Sequence, residues 1–173
     1  METVTFQNLA LSPELERAVA DLGFEEPTPI QSLAIPVIRS GKDVIGQAHT
    51  GTGKTAAYGI PLLERIDPRH RTIQALVVCP TRELALQVSE ELTKLAKYRR
   101  GITILPVYGG QSMDRQLSVL ARGVQVVIAT PGRLLDHIRR RSISLGSVNY
   151  VVLDEGDVML DMGFIEDIEA ILR

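Results

Sequence analysis

The chain has 173 residues, 45% of them hydrophobic, with aromatics at 4%, no Trp and a formal net charge of −2. That length and apolar share suit one α/β domain with a core of Val, Ile, Leu and Ala, and they exclude global disorder. The charge excludes an overall basic field, so any nucleic-acid contact has to come from a local patch or from backbone amides.

The N-terminus, Met1-Glu2-Thr3-Val4, lacks the basic-then-apolar order of a secretory leader. No apolar run reaches the roughly 18 residues that span a bilayer. The expectation is a reduced, cytoplasmic protein with no membrane partner. Ser12-Pro13-Glu14 predicts a helix start, with Ser capping, Pro in the first turn and Glu facing the positive end of the dipole. Leu15, Ala18, Val19 and Leu22 follow at helical spacing until Gly23. A second helix is predicted over residues 30–40, ended by Gly41.

From there, predicted strands at 44–47, 75–79, 102–107, 124–129 and 150–153 alternate with helical patterns at 54–64, 82–97, 114–120 and 132–140. A last helix is predicted over 165–172. Apart from the first, the strands are nearly all apolar, as strands of a parallel sheet covered on both faces read. Cys79 lies in one of them; alone and without a CxxC companion, it reads as a small buried hydrophobe. With no repeat, low-complexity tract or linker, one domain is expected. In such sheets ligands bind beyond the carboxyl ends of the strands. The segments starting at Ala48, Pro80, Gly109, Thr130 and Asp154 each directly follow a predicted strand.

Two of these segments carry chemistry in their residue types. Ala48-His49-Thr50-Gly51-Thr52-Gly53-Lys54-Thr55 stands between a predicted strand and helix. Gly51 and Gly53 let the backbone curl so that N–H groups point at phosphate oxygens, and the helix N-terminus adds its dipole. Lys54 reaches β- and γ-phosphates, and the Thr55 hydroxyl ligates Mg²⁺. Ala48 replaces the Gly of the strict pattern at no cost in donors, and the His49 side chain is given no role. Val151-Val152-Leu153-Asp154-Glu155 is an apolar run delivering two carboxylates. Asp154 suits holding Mg²⁺ and Glu155 suits orienting or deprotonating an attacking water. Neighbours on a strand point to opposite sides, so the two take different jobs.

Asp154-Glu155-Gly156-Asp157 resembles the Asp-Glu-Ala-Asp signature of DEAD-box RNA helicases, and Met159-Leu160-Asp161-Met162-Gly163-Phe164 is similar to its usual continuation. Pro80-Thr81-Arg82-Glu83-Leu84, Gly109-Gly110, Thr130-Pro131-Gly132-Arg133, and Gly23-Phe24 with Pro27-Thr28-Pro29-Ile30-Gln31 follow the family's order. The resemblance implies a RecA-like parallel sheet of P-loop NTPase type with helices on both faces. Residues 1–32 would form the adenine-recognition region and 33–173 the P-loop core. It implies ATP and Mg²⁺ as ligands and RNA as a partner bound through its backbone, with little sequence preference. The Gln31 amide would read adenine by accepting from N6–H₂ and donating to N7, with Thr28 holding its loop. Phe6 is similar to the family's adenine-stacking aromatic and reads equally as a core phenylalanine. Pro80, Thr81, Arg82, Gly109, Gly110, Thr130, Pro131, Gly132 and Arg133 would line the RNA backbone. Gly109-Gly110 taken alone is an ordinary turn, and Arg99-Arg100 and Arg139-Arg140-Arg141 read as solvated helix ends.

Gly156 stands where the family has Ala, and its freedom is expected to loosen the loop carrying Asp157, the residue that would couple the ATP and RNA sites. Val158 departs from the usual polar residue. The resemblance also implies a Ser-Ala-Thr motif and a second RecA-like domain, with its arginine finger, beyond Arg173. A chain of this extent is expected to bind nucleotide but not to unwind RNA. Two other readings stay open: a DNA translocase or transporter motor, disfavoured by Gln31 and Asp154–Asp157 together, and a nucleotide-dependent scaffold without turnover.

Overall fold

The computed structural model describes residues 4–49 and 51–173. Thr50 of the glycine-rich loop lies outside the described residues. The chain divides into two units, Met1–Ile66 with Glu91–Arg100, and Asp67–Glu90 with Gly101–Arg173.

The first unit is helical. A short 3-10 turn, Phe6–Leu9, precedes α1 (Pro13–Asp21), α2 (Pro29–Arg39) and α3 (Lys54–Arg65), and the last turn of α4 (Arg82–Leu95) completes it. Ser12 occupies the N-cap position of α1, but its hydroxyl is buried and makes no hydrogen bond, so Pro13 and the acidic first turn carry the start. α1 ends as the sequence predicts. Gly23 takes φ +74°, its N–H reaches the Ala20 carbonyl at 3.0 Å, and the Phe24 N–H reaches that of Val19 at 3.2 Å. The Arg39 guanidinium joins α2 to α3 through a two-pronged pair with Glu64, at 2.9 and 2.6 Å. Arg99 donates to the Leu63 and Ile66 carbonyls at the end of α3. Its solvated helix-end reading becomes a C-terminal cap. A Cβ at Gly59 would stand 2.5 Å from Leu92, so the absent side chain lets α4 close on α3.

Residues 42–49 form no strand, against the expectation for 44–47. Val44 and Ile45 are exposed and no ladder includes them. An apolar run becomes a strand only where a neighbour completes its backbone hydrogen bonds, and none does so here.

The second unit holds a four-stranded parallel sheet: β1 (Ala75–Val78), β2 (Ile104–Val107), β3 (Val126–Ala129) and β4 (Tyr150–Leu153), in the order β2-β3-β1-β4. β1 and β3 are buried at every position, so helices and loops cover both faces of the sheet centre. At the β4 edge Val151 and Leu153 remain exposed. α5 (Met113–Ala121), α6 (Pro131–Arg139), α7 (Gly156–Asp161) and α8 (Ile165–Leu172) complete the unit. Leu76, Val78, Val127, Leu134, Met159, Ile168 and Ile171 share its core. No helix among the described residues is long and apolar enough to cross a membrane.

The register sets the strand ends level. Val78 pairs with Ala129 and with Leu153, and Val107 pairs with Ala129. One further bond extends each pairing: Cys79 N–H to Ala129 O at 2.8 Å, Thr130 N–H to Val107 O at 3.0 Å, and Asp154 N–H to Val78 O at 2.9 Å. The segments beginning at Pro80, Gly109, Thr130 and Asp154 therefore leave the sheet along one edge.

Candidate functional site

In the first unit the glycine-rich loop turns into α3 at Gly53, which takes φ +81°. A Cβ there would meet the Gln31 amide nitrogen at 2.3 Å and the Thr28 hydroxyl at 3.2 Å. Conformation and space both require glycine. The Gln31 side chain, 2% exposed, bridges two segments: its Oε1 accepts from the Thr28 N–H at 3.0 Å and its Nε2 donates to the Gly53 carbonyl at 3.2 Å. Gln31 thus holds the N-terminus of α2 to the start of α3. Thr28 Oγ1 is buried with no hydrogen-bond partner.

Ala57 N–H bonds to Gly53 O at 3.1 Å, so the N–H groups of Lys54, Thr55 and Ala56 precede the first intrahelical bond. Thr52 Oγ1 donates to His49 O at 2.5 Å and tightens the turn, while Gly51 and His49 are exposed and Ala48, Lys54 and Thr55 half-buried. Open amides, an ammonium, a hydroxyl and an unpartnered buried oxygen beside a glycine kept bare form a donor set that fits a polyphosphate. Phe6 is 6% exposed and stacks on Phe24 with ring centroids 6.4 Å apart, so its ring is packed inward.

In the second unit Asp154 is 7% exposed at the end of β4, and Glu155, half-buried, takes the left-handed φ of +54° at the N-cap of α7. Gly156 opens α7 without a positive φ, and a Cβ there would meet only Leu153 Cβ at 3.8 Å. Its conformational freedom is unused, against the expectation of a loosened loop, and Asp157 is exposed on the first turn of that helix. Burial pushes the Cys79 thiol well above its ordinary range, and the charges of Asp154 and Glu155 push it further. It is a neutral core side chain. No group of three or more His, Cys, Asp or Glu gathers to hold a metal among the described residues. Magnesium commonly draws on one or two carboxylates plus phosphate oxygens, a donor type that the Asp154 carboxylate supplies within the second unit.

The loops beyond β2 and β3 are tied together, and Arg82 of the loop beyond β1 lies beside the first of them. Thr81 Oγ1 accepts from the Leu84 N–H at 3.2 Å, and the Arg82 guanidinium lies 3.3 Å from where a Cβ on Gly110 would be. Arg82, Tyr108, Gly110, Gln111, Ser112 and Arg115 line a cleft of about 410 Å³. Thr130 stands at the N-cap position of α6 with Pro131 behind it and Gly132 exposed. Arg133 donates to the Gln111 carbonyl at 2.9 Å and to Gln116 Oε1 at 3.3 Å.

Behind Arg133 lies a polar group absent from the sequence reading: Gln116 and His137, both fully buried, bonded at 2.7 Å. Gln116 also donates to Tyr108 O at 3.1 Å and to Gln111 Oε1 at 2.9 Å. One signal was legible. Gln116 interrupts the apolar stripe of Met113 and Leu120 on α5. Arg140 pairs with Asp136 at 3.0 Å, in keeping with a solvated helix end.

The comparisons agree with this architecture. The DEAD/DEAH box helicase model matches residues 28–173. The chain is 58% identical to the DEAD-box ATP-dependent RNA helicases CshA of Bacillus licheniformis and Bacillus subtilis, over 98% of its own length but 35% and 34% of theirs. A crystal structure of a DEAD box protein from the hyperthermophile Methanococcus jannaschii superposes with a TM-score of 0.92 at 42% identity, covering 99% of this chain and 47% of that one. The chain spans about a third of the length of those curated relatives, and its parallel sheet with surrounding helices is the RecA-like fold of a DEAD-box domain. With a model that matches well over half its length, the chain belongs to the DEAD/DEAH box helicase family.

Proposed function

We propose that residues 1–173 are the ATP-binding RecA-like domain of an ATP-dependent RNA helicase, which binds and hydrolyses ATP to remodel or unwind RNA. The observation that carries this reading is the start of α3. Gly53 is held bare and left-handed by Gln31, with Lys54, Thr55 and open amides following. The α3 amides and Lys54 bind the β- and γ-phosphates, and Thr55 and Asp154 are the residues that would hold Mg²⁺. The ion supplies neutralisation of phosphate charge when bound. Glu155 orients the attacking water and takes its proton. Gln31 and Thr28 belong to adenine recognition, and Phe6 joins them only by leaving its stack on Phe24; the Gln31 amide spends one donor and one acceptor internally and retains a second of each for a base.

RNA is held by Pro80, Thr81, Arg82, Gly109, Gly110, Thr130, Pro131, Gly132 and Arg133, with Asp157 coupling the two ligands. These groups suit sugar and phosphate rather than base edges, so binding tolerates sequence. Strand separation requires a second RecA-like domain, and residues 1–173 alone bind nucleotide without unwinding.

The test is ATP turnover by the full-length protein with RNA, with DNA and with neither, alongside Lys54→Ala. Stimulation by RNA alone, and loss of nucleotide binding in the variant, are expected. Equal stimulation by DNA would select the translocase reading, and unchanged nucleotide affinity in Lys54→Ala would remove the phosphate assignment.

A further inference from the structure

The buried pair Gln116 and His137 has no part in the proposed function, yet its bonds reach two of the three candidate RNA-contact segments of the second unit, those at Gly109-Gly110 and at Arg133. Proton placement follows from the partners. Tyr108 offers a carbonyl, so the Gln116 atom 3.1 Å from it is the amide nitrogen. Arg133 has only donors, so the Gln116 atom facing it is the oxygen. That oxygen also faces His137 Nε2 at 2.7 Å, and Nε2 therefore carries the ring proton. Nδ1 is then an acceptor, with the Ser142 hydroxyl 2.7 Å away.

Ser142 is fixed in turn by the close of α6. Its N–H bonds to the His137 carbonyl at 3.0 Å, next to Arg141 in a left-handed conformation. A directed chain results: His137, with the Ser142 hydroxyl against its Nδ1 and that hydroxyl donating to the His137 carbonyl at 3.1 Å, donates from Nε2 to the Gln116 oxygen, and the Gln116 amide donates to Tyr108 and Gln111 on either side of Gly109-Gly110. Arg133 closes the ring on the Gln111 carbonyl. Every hydrogen-bonding atom of the Gln116 amide is engaged, which is the condition under which a buried polar group fixes one geometry.

We propose that Gln116 and His137 are positioning residues for RNA. They hold the Gly109-Gly110 turn and orient Arg133 so that backbone amides and guanidinium meet a sugar–phosphate strand already arranged. One Arg133 nitrogen is spent on the brace, and the remaining guanidinium N–H groups are left to donate to phosphate. Burial, followed by the Arg133 charge, holds the His137 imidazole below its ordinary range, which keeps the ring neutral and the chain of donors intact. This inference rests on the reading that Gly109, Gly110 and Arg133 contact RNA.

The test uses the full-length protein and reads the RNA concentration giving half-maximal ATPase stimulation, together with nucleotide affinity without RNA. Gln116→Glu conserves volume and keeps the acceptor for Arg133 and His137 but has no N–H for Tyr108 and Gln111. His137→Leu removes the ring donor, whereas His137→Gln retains one. The expected result is a rise of about five- to tenfold in half-saturating RNA for Gln116→Glu and His137→Leu. Nucleotide affinity should be unchanged in both, and His137→Gln should return to within about twofold of the parent. Unchanged half-saturation in Gln116→Glu, or a defect in His137→Gln as large as in His137→Leu, overturns the proposal. If His137→Leu does not fold, Gln116→Glu decides. Arg133→Ala separates the two levels: if it too leaves RNA half-saturation unchanged, the RNA reading itself fails, and if it alone raises it, only the positioning role fails.

Discussion

Gly156→Ala places the Ala of the Asp-Glu-Ala-Asp signature into this chain, and the structure gives both the sign and the size of its effect. Gly156 is the first residue of α7 with no positive φ, so Ala adopts its backbone without strain. The new Cβ meets Leu153 Cβ at 3.8 Å, an ordinary contact. What remains is the entropy that glycine gives the unfolded segment, worth about 0.4–1 kcal/mol in favour of the variant. If α7 opens locally, that gain multiplies amide protection over residues 156–162 by about two- to fivefold. The assay is hydrogen exchange on peptides covering α7, with the α6 peptide as internal reference. Faster exchange in Gly156→Ala than in the parent would mean that α7 needs the glycine, and the account of an unused freedom would be wrong.

Gly53→Ala should do the opposite. A left-handed alanine costs about 1–2 kcal/mol before its clash with the Gln31 amide is counted, so nucleotide affinity should fall about five- to thirtyfold or more in a fluorescent-ATP titration. Parent-like affinity would separate the clamp from the phosphates. Glu155→Gln in the full-length protein should bind nucleotide within about twofold of the parent and lose about a hundredfold or more in turnover; near-normal turnover would remove Glu155 as water activator. The folded His137 pKa is lowered, chiefly by burial and next by Arg133. The unfolded chain therefore binds a proton that the folded chain refuses, and stability present above about pH 6.5 is lost as pH falls below it. Denaturant midpoints at pH 8 and pH 5.5 should diverge more in the parent than in His137→Gln, and equal divergence would place the acid sensitivity elsewhere.

The sheet of the second unit was legible because its strands are short, apolar runs, a pattern that burial on two faces imposes. Their lengths were less so. The runs at 102–107 and 124–129 shorten to Ile104–Val107 and Val126–Ala129, because pairing lasts only as long as both neighbours supply partners. The same dependence accounts for 44–47, whose composition suits a strand but which finds no ladder. α7 escaped prediction because it is one and a half turns long and starts from a left-handed glutamate rather than a capping residue. At the site, spacing showed where the strand ends lie. It did not show that Gln31 reaches Gly53 across 22 residues, or that His137 reaches Gln116 across 21. Such partners are chosen by packing, and a polar residue in an apolar stripe announces only that some partner exists.

Glu155 adopts its left-handed backbone although glycine would do so more cheaply. If Glu155 activates water as proposed, selection for heat resistance and selection for turnover pull this position in contrary directions. A library screened only for melting temperature would be expected to enrich Gly at 155 and quietly shed the carboxylate, and on the proposed role a hydrolysis screen of the full-length protein would be needed to keep it.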